Sequence, residues 1–170
     1  MLSKILSKEH ASDMMDFRGM TTIASLKIED IQNFEKLIID SDLNQKDNLD
    51  EIGLEHKILN GMYCRKLFIP KGTFLTGKVH RNPYIDMCVT GDITVKSFLF
   101  DNTIENSRRF KDFTFLEGVP GRKRIGYAHQ DTVWMTVDPV QTDNVDKAED
   151  EVCCDNLPDY IKELPECQPQ

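Results

Sequence analysis

The apolar positions of this 170-residue chain change rhythm twice along its length. In IEDIQNFEKLIID, Ile28, Ile31, Phe34, Leu37 and Ile38 recur at helical spacing, with acids early and Lys36 later, which predicts a helix over 28–40. Residues 1–27 are weakly periodic and read as an arm, and the polar stretch 41–51 reads as a linker. From about residue 60 the rhythm becomes that of strands: YCRKLFI, TFLTGKV, YIDMCV, DITVKSFLF, FKDFTFL, RIGYA and TVWMTV. Pro-Lys-Gly, Asn-Pro, Thr-Gly, an Asp-Asn stretch and Pro-Gly separate them. Short strands between such turn formers predict an antiparallel sandwich or barrel. After residue 138, DNVDKAEDEV and LPDYIKEL predict two short helices. The expected organisation is an N-terminal arm, helix and linker over 1–57, a β-barrel over 58–138 and an acidic helical tail over 139–170.

Composition refines this picture at the tail. Residues 138–170 carry ten acids and two bases, a net charge of −8, which equals the charge of the whole chain. The body is therefore neutral, and the acidity argues only for a solvated or partner-seeking C-terminus. No apolar run approaches the ~20 residues that span a bilayer, so no membrane partner is expected. The start, MLSKILSKEH, is too short and too charged for a signal peptide. The five cysteines, Cys64, Cys88, Cys153, Cys154 and Cys167, have no metal-binding or disulfide spacing and read as reduced thiols in a cytoplasmic setting.

The chemistry concentrates between Gly72 and Gly91. In GTFLTGKVHRNPYIDMCVTG, alternation puts Lys78 and His80 on one strand face, and Tyr84, Asp86 and Cys88 on one face of the next strand. The Asn82-Pro83 turn folds the second strand back on the first. Whichever face points inward collects a cation, an imidazole and a phenol, with a carboxylate as a candidate fourth member. The alternative is that Lys78 points outward and His80 is an ordinary hydrogen-bonded barrel residue.

The spacing of Gly72, Lys78, His80, Tyr84 and Gly91 resembles the first cupin motif: Gly, five residues, His-x-His, three or four residues, Glu, six residues, Gly. The stretches LFIPKGTFLTGKVHR, Gly-Asp-Ile-Thr-Val and PGRKRIGYAHQDTVWMTV are similar to small cupin-like proteins of tailed bacteriophages. The resemblance covers roughly residues 60–137 and implies a mainly β fold: a single small cupin jelly roll. In the eroded second motif, aligning Gly121 places Arg124 at the fourth ligand position, with Phe113, Val119 and Ala128 replacing the family's Gly, Pro and Asn. The four positions that hold metal in the family are then Lys78, His80, Tyr84 and Arg124. Two cations oppose a divalent metal, which wants carboxylate, neutral imidazole or thiolate, so no metal and no cofactor is expected. Asp86 and Cys88 match no ligand spacing.

The same four residues suit an anion such as a carboxylate, a phosphate or a sugar nucleotide. If the chain is an enzyme, the resemblance to metal-free cupin epimerases makes His80 and Tyr84 its acid/base pair. His129-Gln-Asp131 is a candidate source of the carboxylate such a His needs, although a turn is the favoured reading. Six bases lie between residues 107 and 124 (Arg108, Arg109, Lys111, Arg122, Lys123 and Arg124), with Phe110, Phe113 and Phe115 among them. Nucleic acid is disfavoured as a partner because the body is neutral. The favoured reading puts the phenylalanines in the core and the bases in solvated turns. If Val133 and Met135 pack inside, Trp134 faces outward, available to an oligomer interface. Cys153-Cys154 reads as incidental in a polar tail.

Three functional classes follow. The first is a non-catalytic phage protein serving assembly or attachment as a homo-oligomer, a virion component at the collar, tail or capsid surface whose partners are itself and other virion proteins. It would reside in the host cytoplasm during synthesis and then in the virion. The second is a metal-free, epimerase-like cupin enzyme, and the third a decoy that binds an anionic nucleotide. Fold resemblance alone is a weak warrant for any of them.

Overall fold

The computed structural model describes residues 5–6, 26–40, 53–99 and 107–164. The expected linker over 41–51, most of the arm over 1–27 and Cys167 lie outside the described residues. In chain order the elements are β1 (Ile5–Leu6), α1 (Ile28–Asp40), β2 (Leu54–Leu59), β3 (Met62–Ile69), β4 (Phe74–Thr76), β5 (Val79–His80), β6 (Tyr84–Thr90) and β7 (Asp92–Leu99). They continue as β8 (Arg108–Lys111), β9 (Thr114–Gly118), β10 (Arg122–Ala128), β11 (Thr132–Pro139), α2 (Val145–Val152), β12 (Cys153–Cys154) and α3 (Leu157–Glu163).

The strands form two five-stranded antiparallel sheets, ordered β1-β4-β10-β7-β8 and β2-β3-β11-β6-β9. Consecutive strands cross repeatedly between the sheets, the interleaving that defines a jelly roll. The protein is therefore mainly β, a small jelly roll with an N-terminal helix and C-terminal helices. Strand β2 straddles the 57/58 division expected from the apolar rhythm. Gly72 and Gly91, which frame the chemistry-bearing stretch, have φ of 85° and 108°. At Gly91 a β-carbon would also run into the backbone of Asp131 and Thr132, so the turn between β6 and β7 requires glycine.

Ile69, Cys88, Ile93, Val95, Phe110 and Ala128 form the core between the sheets, with Trp134 packed against them. The outer face of the first sheet lies under α1. Ile31 is fully buried, Glu35 accepts from Thr76 Oγ1 at 2.6 Å, and Lys123 Nζ lies 2.7 Å from the same carboxylate. That cover explains why β7 is buried from Asp92 to Phe98, on both of its faces.

Three expectations are corrected here. The C-terminus is not a solvated tail: β12 pairs with β5, setting Cys153 opposite His80 and Cys154 opposite Val79. Val152, Cys153, Cys154, Leu157 and Tyr160 are buried against Tyr63 and Val79. Of the acids on α2, Asp146 and Asp150 are exposed while Glu149 is buried against the barrel, a division that net charge cannot reveal. Of the three phenylalanines expected in the core only Phe110 is there; Phe113, at φ 59° in the β8–β9 turn, is 89% exposed and Phe115 is 65% exposed. The bases lie on strands rather than in turns, and only the first group is solvated: Arg108, Arg109 and Lys111 are exposed on β8. Lys123 is buried on Glu35, Arg109 pairs with Asp92 at 2.6 Å, and Arg124 turns into the barrel.

Candidate functional site

Between the sheets lies a cavity of about 80 Å³, lined in part by Arg65, Lys78, His80, Asp86, Arg124 and Trp134. Alternation along β3, β6, β10 and β11 delivers most of these. Arg65 pairs in register with Thr136, Asp86 with Thr136, and Arg124 with Ser97, so each projects inward from its strand. Trp134 is inward as well, which reverses the outward placement considered from sequence. Its partners on the inner face are Leu67 and Cys88, and Val133 and Met135 take the outside.

Of the sequence candidates, Lys78, His80 and Arg124 reach the same cavity. Tyr84 stacks on His80 with ring centroids 3.7 Å apart and planes 7° from parallel. The Tyr84 ring needs the absence of a side chain at its cross-strand partner, because a β-carbon on Gly118 would penetrate the phenol ring. Arg124 lies over the Tyr84 ring at 5.4 Å and the Trp134 ring at 6.0 Å.

The residue that sequence reasoning missed is Asp138. Its Oδ1 is 2.6 Å from His80 Nδ1, and both side chains are almost completely buried. With a carboxylate as acceptor, Nδ1 must carry the proton, which leaves Nε2 with a lone pair. Burial holds the His80 pKa below its ordinary 6.5, and the hydrogen bond to Asp138 works against that shift. The imidazole is therefore neutral at pH 7. The Trp134–Thr136–Asp138 alternation was the available signal, since it places Asp138 on the inner face of β11. The alternative source proves to be a turn: His129 Nε2 is held by Thr94 Oγ1 at 2.7 Å, and Asp131 accepts from Lys71 N at 2.8 Å.

A second carboxylate organises the far side. Asp86 Oδ2 is 2.6 Å from Arg124, and its Oδ1 accepts from Trp134 Nε1 at 3.0 Å. Burial pushes the Asp86 carboxyl up to about 7 and the Arg124 guanidinium down to about 10. Their 2.6 Å contact opposes both shifts and favours the ionised pair.

The C-terminal segment closes the site with acids. Glu149 of α2 lies 3.2 Å from Arg65 and 3.5 Å from Lys78, and Asp155 lies 3.1 Å from Lys78. Burial works against charge on Lys78, but Glu149 and the hydrogen bond to Asp155 outweigh it and hold the ammonium above its ordinary range. Cys153 is not reactive here, since burial pushes its thiol up to about 12.

A metal of the kind the sequence resemblance implies does not fit these residues. Lys78 and Arg124 are cations, and the nitrogen of His80 nearest a carboxylate is committed to Asp138. Among the buried polar atoms, Tyr84 Oη, Thr136 Oγ1 and Asp138 Oδ2 have no hydrogen-bond partner, and all three belong to His80 or its immediate surroundings.

No family model matches the sequence, and no curated protein matches it. Among solved structures, a conserved protein of unknown function from Streptococcus pyogenes overlays 55% of this chain and 77% of its own at 9% identity, with a TM-score of 0.43. An RmlC-like cupin family protein with a double-stranded β-helix fold from Methanocaldococcus jannaschii overlays 52% and 80% at 12% identity, with a TM-score of 0.42. Strand order defines a jelly roll, and its cavity carries cations beside a buried His–Asp pair. Among the described residues no helix is long and apolar enough to cross a membrane.

Proposed function

We propose that the barrel interior binds a small organic anion and that His80 serves as a proton acceptor toward it. The orphaned hydroxyl of Thr136 in the cavity wall, with that of Tyr84 against His80, carries this reading, because a buried hydroxyl without a partner costs about 1–3 kcal/mol and calls for a ligand or water that can accept from it. Arg65 and Lys78 supply the positive charge, since Arg124 is already paired with Asp86. Neutral His80 accepts a proton at Nε2, and Asp138 stabilises the imidazolium that forms. The cavity, about 80 Å³, is smaller than the ~150 Å³ that admits benzene, so it suits a two- or three-carbon acid rather than a sugar nucleotide. Glu149 already places a carboxylate on two of the cations, and the ligand must displace it. The test is thermal stabilisation by a panel of short carboxylates and phosphates. Stabilisation should weaken in Lys78→Gln and strengthen in Glu149→Gln; no stabilisation by any member counts against the reading.

The exposed apolar side chains of the second sheet favour a second reading, a self-assembling building block. Its placement in a phage particle is supported only by the sequence resemblance above. Sedimentation with purified particles supports it, and absence from them removes the virion role.

A further inference from the structure

The outer face of the second sheet carries two rows of side chains that run in register across all five strands. One row is Lys57, Cys64, Val137, Ile85 and Glu117; the next is Glu55, Lys66, Met135, Met87 and Phe115. Both rows are apolar in the middle and charged toward the β2–β3 side, but the first has a base on β2 and an acid on β9. Lys57 and Glu117 are both exposed, Ile85 is 37% exposed and Phe115 65%. The other sheet has α1 against its outer face, and no described element covers this one.

We infer that this face pairs with the same face of a second copy about a two-fold axis parallel to the strands and centred over β11. The inference concerns the self-association in the second reading above and is independent of any particle. The axis places β9 of one copy over β2 of the other, so each Glu117 meets a Lys57 and the contact closes with two ion pairs. Met135 and Val137 meet their own counterparts at the centre, Ile85 lies over Cys64, and Phe115 lies over Glu55 and the alkyl stem of Lys66. A two-fold axis perpendicular to the strands would instead set β9 over β9 and oppose like charges. Five strands at about 4.8 Å spacing and about 3.3 Å per residue give a flat footprint on the order of 500 Å² before side-chain relief. That approaches the ~800 Å² of accessible surface per partner in a standard interface. Sheets packed face to face cross at about 30°, a displacement the long Lys57 side chain can follow.

The experiment is analytical ultracentrifugation of the full chain over a range of concentrations. The wild type should sediment as a dimer. Phe115→Asp and Met135→Glu, with native circular dichroism, should raise the dissociation constant at least tenfold. Glu117→Lys should weaken the dimer by several-fold and Lys57→Glu/Glu117→Lys should restore it. A monomeric wild type overturns the inference, and so does a dimer insensitive to Phe115→Asp or a charge swap that fails to rescue. Anion binding does not enter the measurement, and sedimentation with particles is scored separately.

Discussion

His80 and Asp138 lie 58 positions apart in the chain, on β5 and β11, and meet at 2.6 Å inside the barrel. The buried carboxylate orients a neutral imidazole and leaves its Nε2 with a lone pair.

Asp138→Asn removes a charge-assisted hydrogen bond between two buried groups and should cost about 2 kcal/mol in denaturant unfolding. Asp138 works to raise the His80 pKa, so the variant should titrate at still lower pH in a histidine NMR titration. The wild-type sign follows from the lowered folded pKa. Below about 6.5 the unfolded chain binds a proton that buried His80 refuses, so this contribution is complete above that pH and is lost as pH falls beneath it. An Asp138→Asn protein with unchanged stability and an unmoved His80 titration would mean the pair is not formed.

Gly118→Ala drives a methyl group into the Tyr84 ring and should destabilise the fold by about 1–3 kcal/mol as overpacking. The phenol must leave its stack on His80, which near-ultraviolet circular dichroism of the tyrosine band will register.

Lys123→Met leaves the Glu35 carboxylate buried without its cation and removes the Lys123 bond to the Asp155 carbonyl. Breaking such a pair costs about 3 kcal/mol. The expected phenotype is local: α1 should become sensitive to limited proteolysis before the barrel strands do.

Acid should loosen the C-terminal closure. The hydrogen bond from Lys78 holds the Asp155 carboxyl below its usual 3.8, so its contribution is present above that value and is lost as pH falls through the folded pKa. Hydrogen exchange at the β12 amides should accelerate below about pH 4, relative to β7 amides in the same sample.

Much of the barrel was legible because turn formers and period-two runs are local signals. The helix over 28–40, the strand-rich body and both C-terminal helices fall where periodicity puts them. What was not legible depends on which face of a strand is inside. The run T-V-W-M-T-V supports either phase, and only the register with β3 and β6 turns Trp134, Thr136 and Asp138 inward. The same ambiguity hid Phe115, whose apolar side chain sits on the outer face of β9. Lys78, His80, Tyr84 and Arg124 could be collected from motif spacing, and alternation set Asp86 beside Tyr84, but Asp138, Glu149 and Asp155 arrive from distant positions that no local pattern connects.

The central claim concerns the cavity, and Trp134, the chain's single tryptophan, reports on it directly because it lines the cavity beneath Arg124. Titration of the full chain with short organic carboxylates and with inorganic phosphate, followed by Trp134 emission, should give a saturable change for at least one of them. The dissociation constant should rise at least tenfold in Lys78→Gln and fall in Glu149→Gln. An emission spectrum indifferent to every anion in both the wild type and Glu149→Gln would contradict the account.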